Sequence, residues 1–154
     1  MIRRIVIIDS VNWEERTHEA LRDSGHRLGG ARQKVVSVLA RGDCCLTVPE
    51  IVDAARAEGR GVGIASVYRV LDLLAEKQLV QKIDLGDGRA RYERAEVADD
   101  HHHHLVCNEC GRVEPFADEN LEAALRRVER ETGFEVASHD VLLRGACDDC
   151  RAAA

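Results

Sequence analysis

Two Cys-X-X-Cys pairs, Cys107/Cys110 and Cys147/Cys150, are the residues in this chain best suited to chemistry, and four consecutive histidines, His101 to His104, stand just ahead of the first pair. Paired thiolates at this spacing close tetrahedral zinc sites, and imidazole suits a second, more exchangeable metal. One such pair at the start of a helix in a βαβ context would read instead as a dithiol redox centre. Two pairs point to a four-thiolate zinc site, provided a folded insertion returns the second pair to the first.

If the histidine run is a strand, its side chains alternate: His101 and His103 point to one face, His102 and His104 to the other. One strand can then serve two separate metal sites. A solvated, weakly chelating tract is the alternative, but this run is internal and abuts a cysteine pair. Each face needs further ligands. Glu122 on the following helix and His139 on the last strand can reach the His101/His103 face, and Glu93 can join His102 and His104.

The elements that must position these residues follow from pattern and punctuation. Helices are predicted over 13–23 and 31–41, the latter turning Val35, Val36 and Leu39 inward. Thr47 followed by Glu50 is a capping box, with Pro49 tolerated in the first turn, and Val48, Ile51, Val52 and Ala55 form the stripe behind it. After Gly59, Gly61 and Gly63, a further helix places Ile64, Val67, Val70, Leu71 and Leu74 on its inner side. Alternation over 79–85, then Asp87-Gly88 and 89–92, reads as a hairpin. Helix, turn, helix and hairpin is the order of a winged helix-turn-helix. Beyond it come a strand through His104 to Val106, a strand around Gly111 to Phe116, a helix from about Asp118 to Glu131, and a strand around Phe134 to Leu143.

The fold class expected is therefore α+β, an N-terminal winged helix followed by a small α/β domain. The boundaries are 1–94, with 1–12 an unassigned extension, 95–100 as hinge, and 101–154 as the metal-binding module. The net charge is −6, but residues 1–94 carry 16 basic and 14 acidic side chains while residues 95–154 carry 6 and 14. The first part can thus approach a polyanion, and the second attracts cations. Aromatic residues are only 3%, so a small domain here gains from a metal staple. Arg3 and Arg4 precede the run Ile5 to Ile8, which Asp9 ends too early for a signal-peptide core or a membrane span. The expected setting is a reducing cytoplasm, without membrane association. On the winged helix, Ser66, Tyr68 and Arg69 are placed to meet a DNA major groove, with Lys82, Arg89 and Arg91 of the hairpin near phosphates.

Ser66-Val67-Tyr68-Arg69-Val70-Leu71, the run from His101 through Cys110-Gly111, and His139 with Cys147-Asp148-Asp149-Cys150 together resemble the ferric uptake regulator superfamily of bacterial metal-dependent repressors, over about Gly25 to Cys150. The resemblance implies a C-terminal dimerisation domain, cysteine-bound structural Zn2+, and binding of a homodimer to palindromic operators in double-stranded DNA. It assigns His101, His103, Glu122 and His139 to one site, and Glu93, His102 and His104 to a regulatory site at the domain hinge. Two departures stand out. The usual hinge histidine is replaced by Cys45, a softer ligand favouring zinc. Pro115 occupies a place where many members carry a ligating carboxylate.

Zinc-sensing members, however, carry Asp and Cys where this chain has Gln81 and Ala95. The regulatory metal is thus zinc or iron, zinc ahead, with manganese and nickel as further candidates. Peroxide-sensing members usually show Asp where Glu93 stands, which disfavours that alternative. For the vicinal pair Cys44/Cys45, ligation, redox activity and buried packing all remain open. A zinc hydrolase using His101, His103 and His139 with Glu122 as base is a competing class. It lacks any implied substrate pocket, and no small-molecule substrate is expected. A metal-storage module would leave the winged helix without a purpose.

Overall fold

The computed structural model describes residues 10–42, 44–59, 61–95 and 102–153, with side chains from Trp13 onward. They form two compact units, one over residues 10–95 and one over residues 102–153. The histidine at 101, most of the 95–100 hinge and most of the N-terminal extension lie outside the described residues. Among the described residues, no helix is long and apolar enough to cross a membrane.

In the N-terminal unit, α1 (Ser10–Asp23), α2 (Ala31–Arg41), α3 (Val48–Ala57) and α4 (Ile64–Glu76) pack around one apolar core. The stripes read from the sequence are the buried ones: Val35, Val36 and Leu39 on α2, Val48, Ile51, Val52 and Ala55 on α3, and Val67, Val70, Leu71 and Leu74 on α4. Both arms of the capping box at α3 are made. The Glu50 carboxylate accepts from the Thr47 N–H at 2.7 Å, and Thr47 Oγ1 accepts from the Glu50 N–H at 3.4 Å. That pairing fixes where α3 begins. Trp13 Nε1 donates to the Leu79 carbonyl at 3.0 Å, tying α1 to the segment leaving α4.

The wing is the antiparallel hairpin of β2 (Val80–Asp84) and β3 (Ala90–Arg94). At its turn Gly86 and Gly88 take φ of 73° and 76°, the left-handed region that glycine enters without a Cβ penalty. A two-residue strand, β1 (Leu46–Thr47), was not foreseen. It pairs with β3 through Leu46 opposite Tyr92 and completes a sheet of order β1-β3-β2.

The C-terminal unit is a three-stranded sheet of order β5-β4-β6, in which β4 (His103–Cys107) pairs antiparallel with β5 (Val113–Phe116) and parallel with β6 (Leu142–Gly145). Helix α5 (Glu119–Thr132) lies between β5 and β6 in the chain, and α6 (Asp148–Ala152) closes it. Pro115 sits in edge strand β5, where a missing N–H costs no ladder bond to a further strand.

Three expectations need correction. Ile64 is 53% exposed rather than inward: it keeps the spacing of the inner stripe but stands at the very start of α4, where its side chain is left uncovered. The last strand begins at Leu142, not near Phe134. Leu142 pairs with His104, next to the first residue of β4, and among the described residues nothing ahead of Val141 joins that ladder. The turn of helix α6, holding Cys150, was also missed.

The two units differ sharply in how they are filled. In the described part of the C-terminal unit, the buried apolar side chains are Val106, Phe116 and Cys107, joined by His103 and His104. Helix α5 buries none of its residues, and Leu105, Val128, Phe134, Val136 and Leu143 are exposed.

Candidate metal centres

Cys107 ends β4, Cys110 lies in the turn after it, Cys147 caps α6 and Cys150 lies within α6. The turn can close because Gly111 adopts φ of 76° while its N–H donates to the Cys107 carbonyl at 3.0 Å. The Asn108 N–H donates to the Gly145 carbonyl at 2.8 Å, which brings the end of β6 and the second cysteine pair alongside. All four Sγ atoms lie within 4.8 Å of one another, and Cys110 Sγ is 3.8 Å from Cys147 Sγ. Four sulfurs at about 2.3 Å from a central zinc are separated by about 3.8 Å along each tetrahedral edge. The donor set therefore fits tetrahedral zinc.

Electrostatics in the cluster are uneven. The N–H groups of Cys110 and then Cys147, the latter 3.3 Å from Cys107 Sγ, hold the Cys107 thiol down to about 6. Cys150 is pushed up to about 12, first by its hydrogen bond with Cys147 and then by that with Cys110. Backbone donors stabilise one thiolate, and further negative charge in the cluster calls for a cation. Arg112 braces the arrangement by donating to Glu114 at 2.6 Å and to Asp149 at 2.7 Å, joining the start of β5 to α6.

A second cluster lies on one face of β4. His103 Nε2 is 2.7 Å from Glu122 Oε1, and His139 Nε2 is 3.2 Å from Glu122 Oε2. The ligand atoms of His103, Glu122 and His139 all lie within 4.8 Å of one another. Asp118 caps α5 by accepting from the Leu121 N–H at 2.8 Å, which sets Glu122 in the first turn, facing the sheet. His103 is 2% exposed and packs against Phe116, with ring centroids 5.4 Å apart. Two imidazole nitrogens and one carboxylate make a donor set suited to a divalent cation.

On the other side of the alternation, the His102 and His104 rings meet edge to face at 5.0 Å. Pro115 is the register partner of His104 on β5. The remaining hinge candidates belong to the N-terminal unit. There, Cys44, Cys45 and Glu93 offer ligand atoms within 4.8 Å of one another, with the two Sγ atoms 3.8 Å apart. Glu93 accepts from Gln81 Nε2 at 2.7 Å. The Cys45 thiol is raised, first by its hydrogen bond with Cys44 and then by burial. Cys44 was not assigned from sequence, although its adjacency to Cys45 was the available signal.

On α4, Tyr68 and Arg69 are exposed and Ser66 is half-buried; exposed Ile64 adds an apolar side chain of the kind that can contact a thymine methyl group. Lys82 and Arg89 are exposed on the wing. Arg91 is a correction. It is 5% exposed and gives both ends of its guanidinium to Asp87, at 2.9 and 2.8 Å, so it braces the wing turn instead of meeting phosphate.

A winged helix followed by a small α/β unit dense in thiolate, imidazole and carboxylate ligands defines a metal-dependent DNA-binding regulator. The family model for the ferric uptake regulator family matches residues 23–144, and the chain belongs to that family. The ferric uptake regulation protein of Bacillus subtilis is 35% identical over 141 residues, covering 90% of this chain and 95% of that protein. Among solved structures, the Helicobacter pylori ferric uptake regulator, described as having three functional metal binding sites, aligns with a TM-score of 0.77 at 30% identity, covering 92% of this chain and 93% of that one. A zinc-bound manganese uptake regulator aligns at 0.74 and 28%, covering 85% and 98%. Members of the family are transcriptional regulators of metal uptake that bind DNA and are dimeric, not enzymes, which removes the hydrolase alternative.

Proposed function

We propose that the chain is a metal-responsive repressor of metal-homeostasis genes, binding a palindromic operator in double-stranded DNA as a metal-loaded homodimer in the cytoplasm. In this reading residues 1–94 bind DNA and residues 101–154 dimerise and bind metal. Cys107, Cys110, Cys147 and Cys150 hold structural zinc; His101, His103, Glu122 and His139 form a dimer-domain site. Glu93, His102 and His104, with Cys45, form the regulatory site. Zinc or iron is the sensed metal, with zinc ahead because of the thiol.

The observation carrying this reading is the split of adjacent histidines, His103 packed with Glu122 and His139 while His102 pairs with His104. Sites built from alternate residues of one strand let a switch share a frame with a permanently occupied centre. When bound, the regulatory cation supplies a coordination tie between the histidines and the ligands of the winged-helix unit. Glu93 and Cys45 present the winged helix to that tie, and α4 presents Ser66, Tyr68 and Arg69 to the groove. Linkage of this kind is typically worth about 1–3 kcal/mol, and operator DNA must tighten metal binding by the same factor. The exposed apolar residues of α5 and the segment after it support dimerisation through the C-terminal unit.

The test is operator binding titrated separately with zinc, ferrous iron, manganese and nickel, with metal content measured on the same sample. His102→Ala should abolish metal-dependent operator binding and leave the dimer intact. Metal-independent binding equal to that of the unaltered protein would sink the regulatory-site assignment.

A further inference from the structure

We infer that Cys44 and Cys45 act together, with Glu93, as a two-thiolate site on the N-terminal unit that makes the regulatory centre selective for thiophilic divalent cations of the zinc and cadmium class over ferrous iron and manganese. The inference deepens the regulatory-site reading and rests on it for the ligands contributed by the C-terminal unit.

The geometry is that of co-ligands. The two Sγ atoms are 3.8 Å apart, the same separation as Cys110 and Cys147 in the four-thiol cluster. It matches the edge of about 3.8 Å between sulfurs sharing one tetrahedral zinc, and it far exceeds the bonded S–S length of about 2.05 Å. The Glu93 carboxylate completes a set whose ligand atoms lie within 4.8 Å of one another.

The cysteine loop is held at both ends on the strand that carries Glu93. Upstream, Arg94 of β3 reaches across to the end of α2, its Nη1 donating to the Ala40 carbonyl at 3.1 Å and its Nη2 to the Gly42 carbonyl at 3.3 Å. Downstream, Leu46 and Thr47 pair with Tyr92 and Arg91 of the same strand. Gln81 on β2 orients the carboxylate from the other side through its 2.7 Å bond to Oε1. Cys45 is buried and Cys44 half-buried, so the pair combines a fixed inner ligand with one that an incoming ion can reach. Supporting bonds of this kind orient ligands and preorganise a metal site.

Selectivity follows from the donors. Thiolates favour zinc-class ions in four-coordinate geometry, whereas manganese and ferrous iron are better served by oxygen and nitrogen in larger shells. As two metal–sulfur bonds form, two thiol protons pass to solvent, so binding releases acid in proportion to the thiols engaged.

The experiment uses the full chain with its Cys107/Cys110/Cys147/Cys150 centre kept zinc-filled. Cobalt(II) serves as the optical probe, zinc affinity is read by chelator competition, and manganese affinity by electron paramagnetic resonance. Cys44→Ser should lower zinc affinity at least about tenfold, since even outer-shell losses cost ten- to a hundredfold. It should also weaken the thiolate-to-cobalt charge-transfer band and lower the ratio of zinc affinity to manganese affinity. Wild-type zinc affinity and band intensity in Cys44→Ser would overturn the inference. If His102→Ala loses zinc while Cys44→Ser keeps it, the dithiol fails and the regulatory site stands. The reverse pattern keeps the dithiol and removes the site's C-terminal ligands. Should Cys44→Ser melt abnormally, the unaltered protein decides: a cobalt spectrum at this centre without a thiolate band overturns the proposal.

Discussion

Replacing Cys107 by serine should unfold the C-terminal unit while leaving the N-terminal unit folded. In the described part of the C-terminal unit, the buried apolar side chains other than Cys107 itself are Val106 and Phe116. Together they contribute about 3–6 kcal/mol at about 1.5–3 kcal/mol for each fully buried side chain. A structural zinc contributes about 10–16 kcal/mol in small zinc modules, as much as the whole net stability of an ordinary domain, about 5–15 kcal/mol. Losing one thiolate therefore removes more than the apolar contacts can replace. The two units can be followed separately, because Trp13 is the sole tryptophan and lies buried in the N-terminal core. Cys107→Ser should keep the Trp13 fluorescence midpoint, lose part of the far-ultraviolet helical signal, and run as a monomer. Strong chelation of the unaltered protein should reproduce all three results. A dimeric variant that melts like the unaltered protein by both probes would refute the reasoning.

Glu122→Gln should weaken metal binding at the His103/His139 centre by at least about tenfold, measured by competition on protein whose cysteine centre is zinc-filled; unchanged affinity would remove Glu122 as a ligand. Arg89→Ala should lower the salt dependence of operator binding by about one unit of slope, across all sequences alike, whereas Arg69→Ala should reduce discrimination between operators. The wing offers a pH test. The Asp87 carboxyl is held well below its ordinary 3.8, chiefly by its hydrogen bond with Arg91. A depressed folded pKa gives stability that is present above 3.8 and lost as pH falls through the folded value. The melting difference between Asp87→Asn and the unaltered protein, followed at Trp13, should thus be largest near neutrality and shrink below pH 3.8; a gap independent of pH would contradict the linkage.

Much of the N-terminal unit was legible because its signals are local. Thr47 and Glu50 are three residues apart and announce a helix start, and the buried stripes of α2, α3 and α4 repeat at helical spacing. The exception, Ile64, shows the limit of periodicity: an apolar residue in the first turn satisfies the spacing whether or not anything covers it. Arg91 was misjudged for a related reason. Its charge is visible in the sequence, but its occupation by Asp87 depends on the turn bringing four-apart residues together. Strand ends were the least legible, since β1 and β6 exist only where β3 and β4 offer a ladder. The alternation of the histidines was readable because it needs only a strand, whereas the brace that Arg94 supplies to the Cys44/Cys45 loop spans more than fifty residues of chain.

The same alternation gives the cysteine centre a second task. Shifting β4 by one residue would exchange His103 with His104 and hand each metal set the wrong ligand. Apolar patterning cannot enforce the register alone, because the strand carries few apolar residues and Leu105 is exposed. What enforces it is the pairing of β4 on both edges, together with Cys107 at its end, where the thiolate belongs to a centre that also takes Cys147 from beyond β6. With zinc bound, as proposed, the four thiolates would pin β4 longitudinally as well as stabilise the unit. A consequence separates this from simple stabilisation. Milder damage to the centre, such as Arg112→Ala, which removes the brace between β5 and α6 but keeps all four thiols, should reduce affinity at the His103/Glu122/His139 set before any global unfolding appears. If metal affinity at that set tracks only the folded fraction, the register role is absent and the centre is a staple alone.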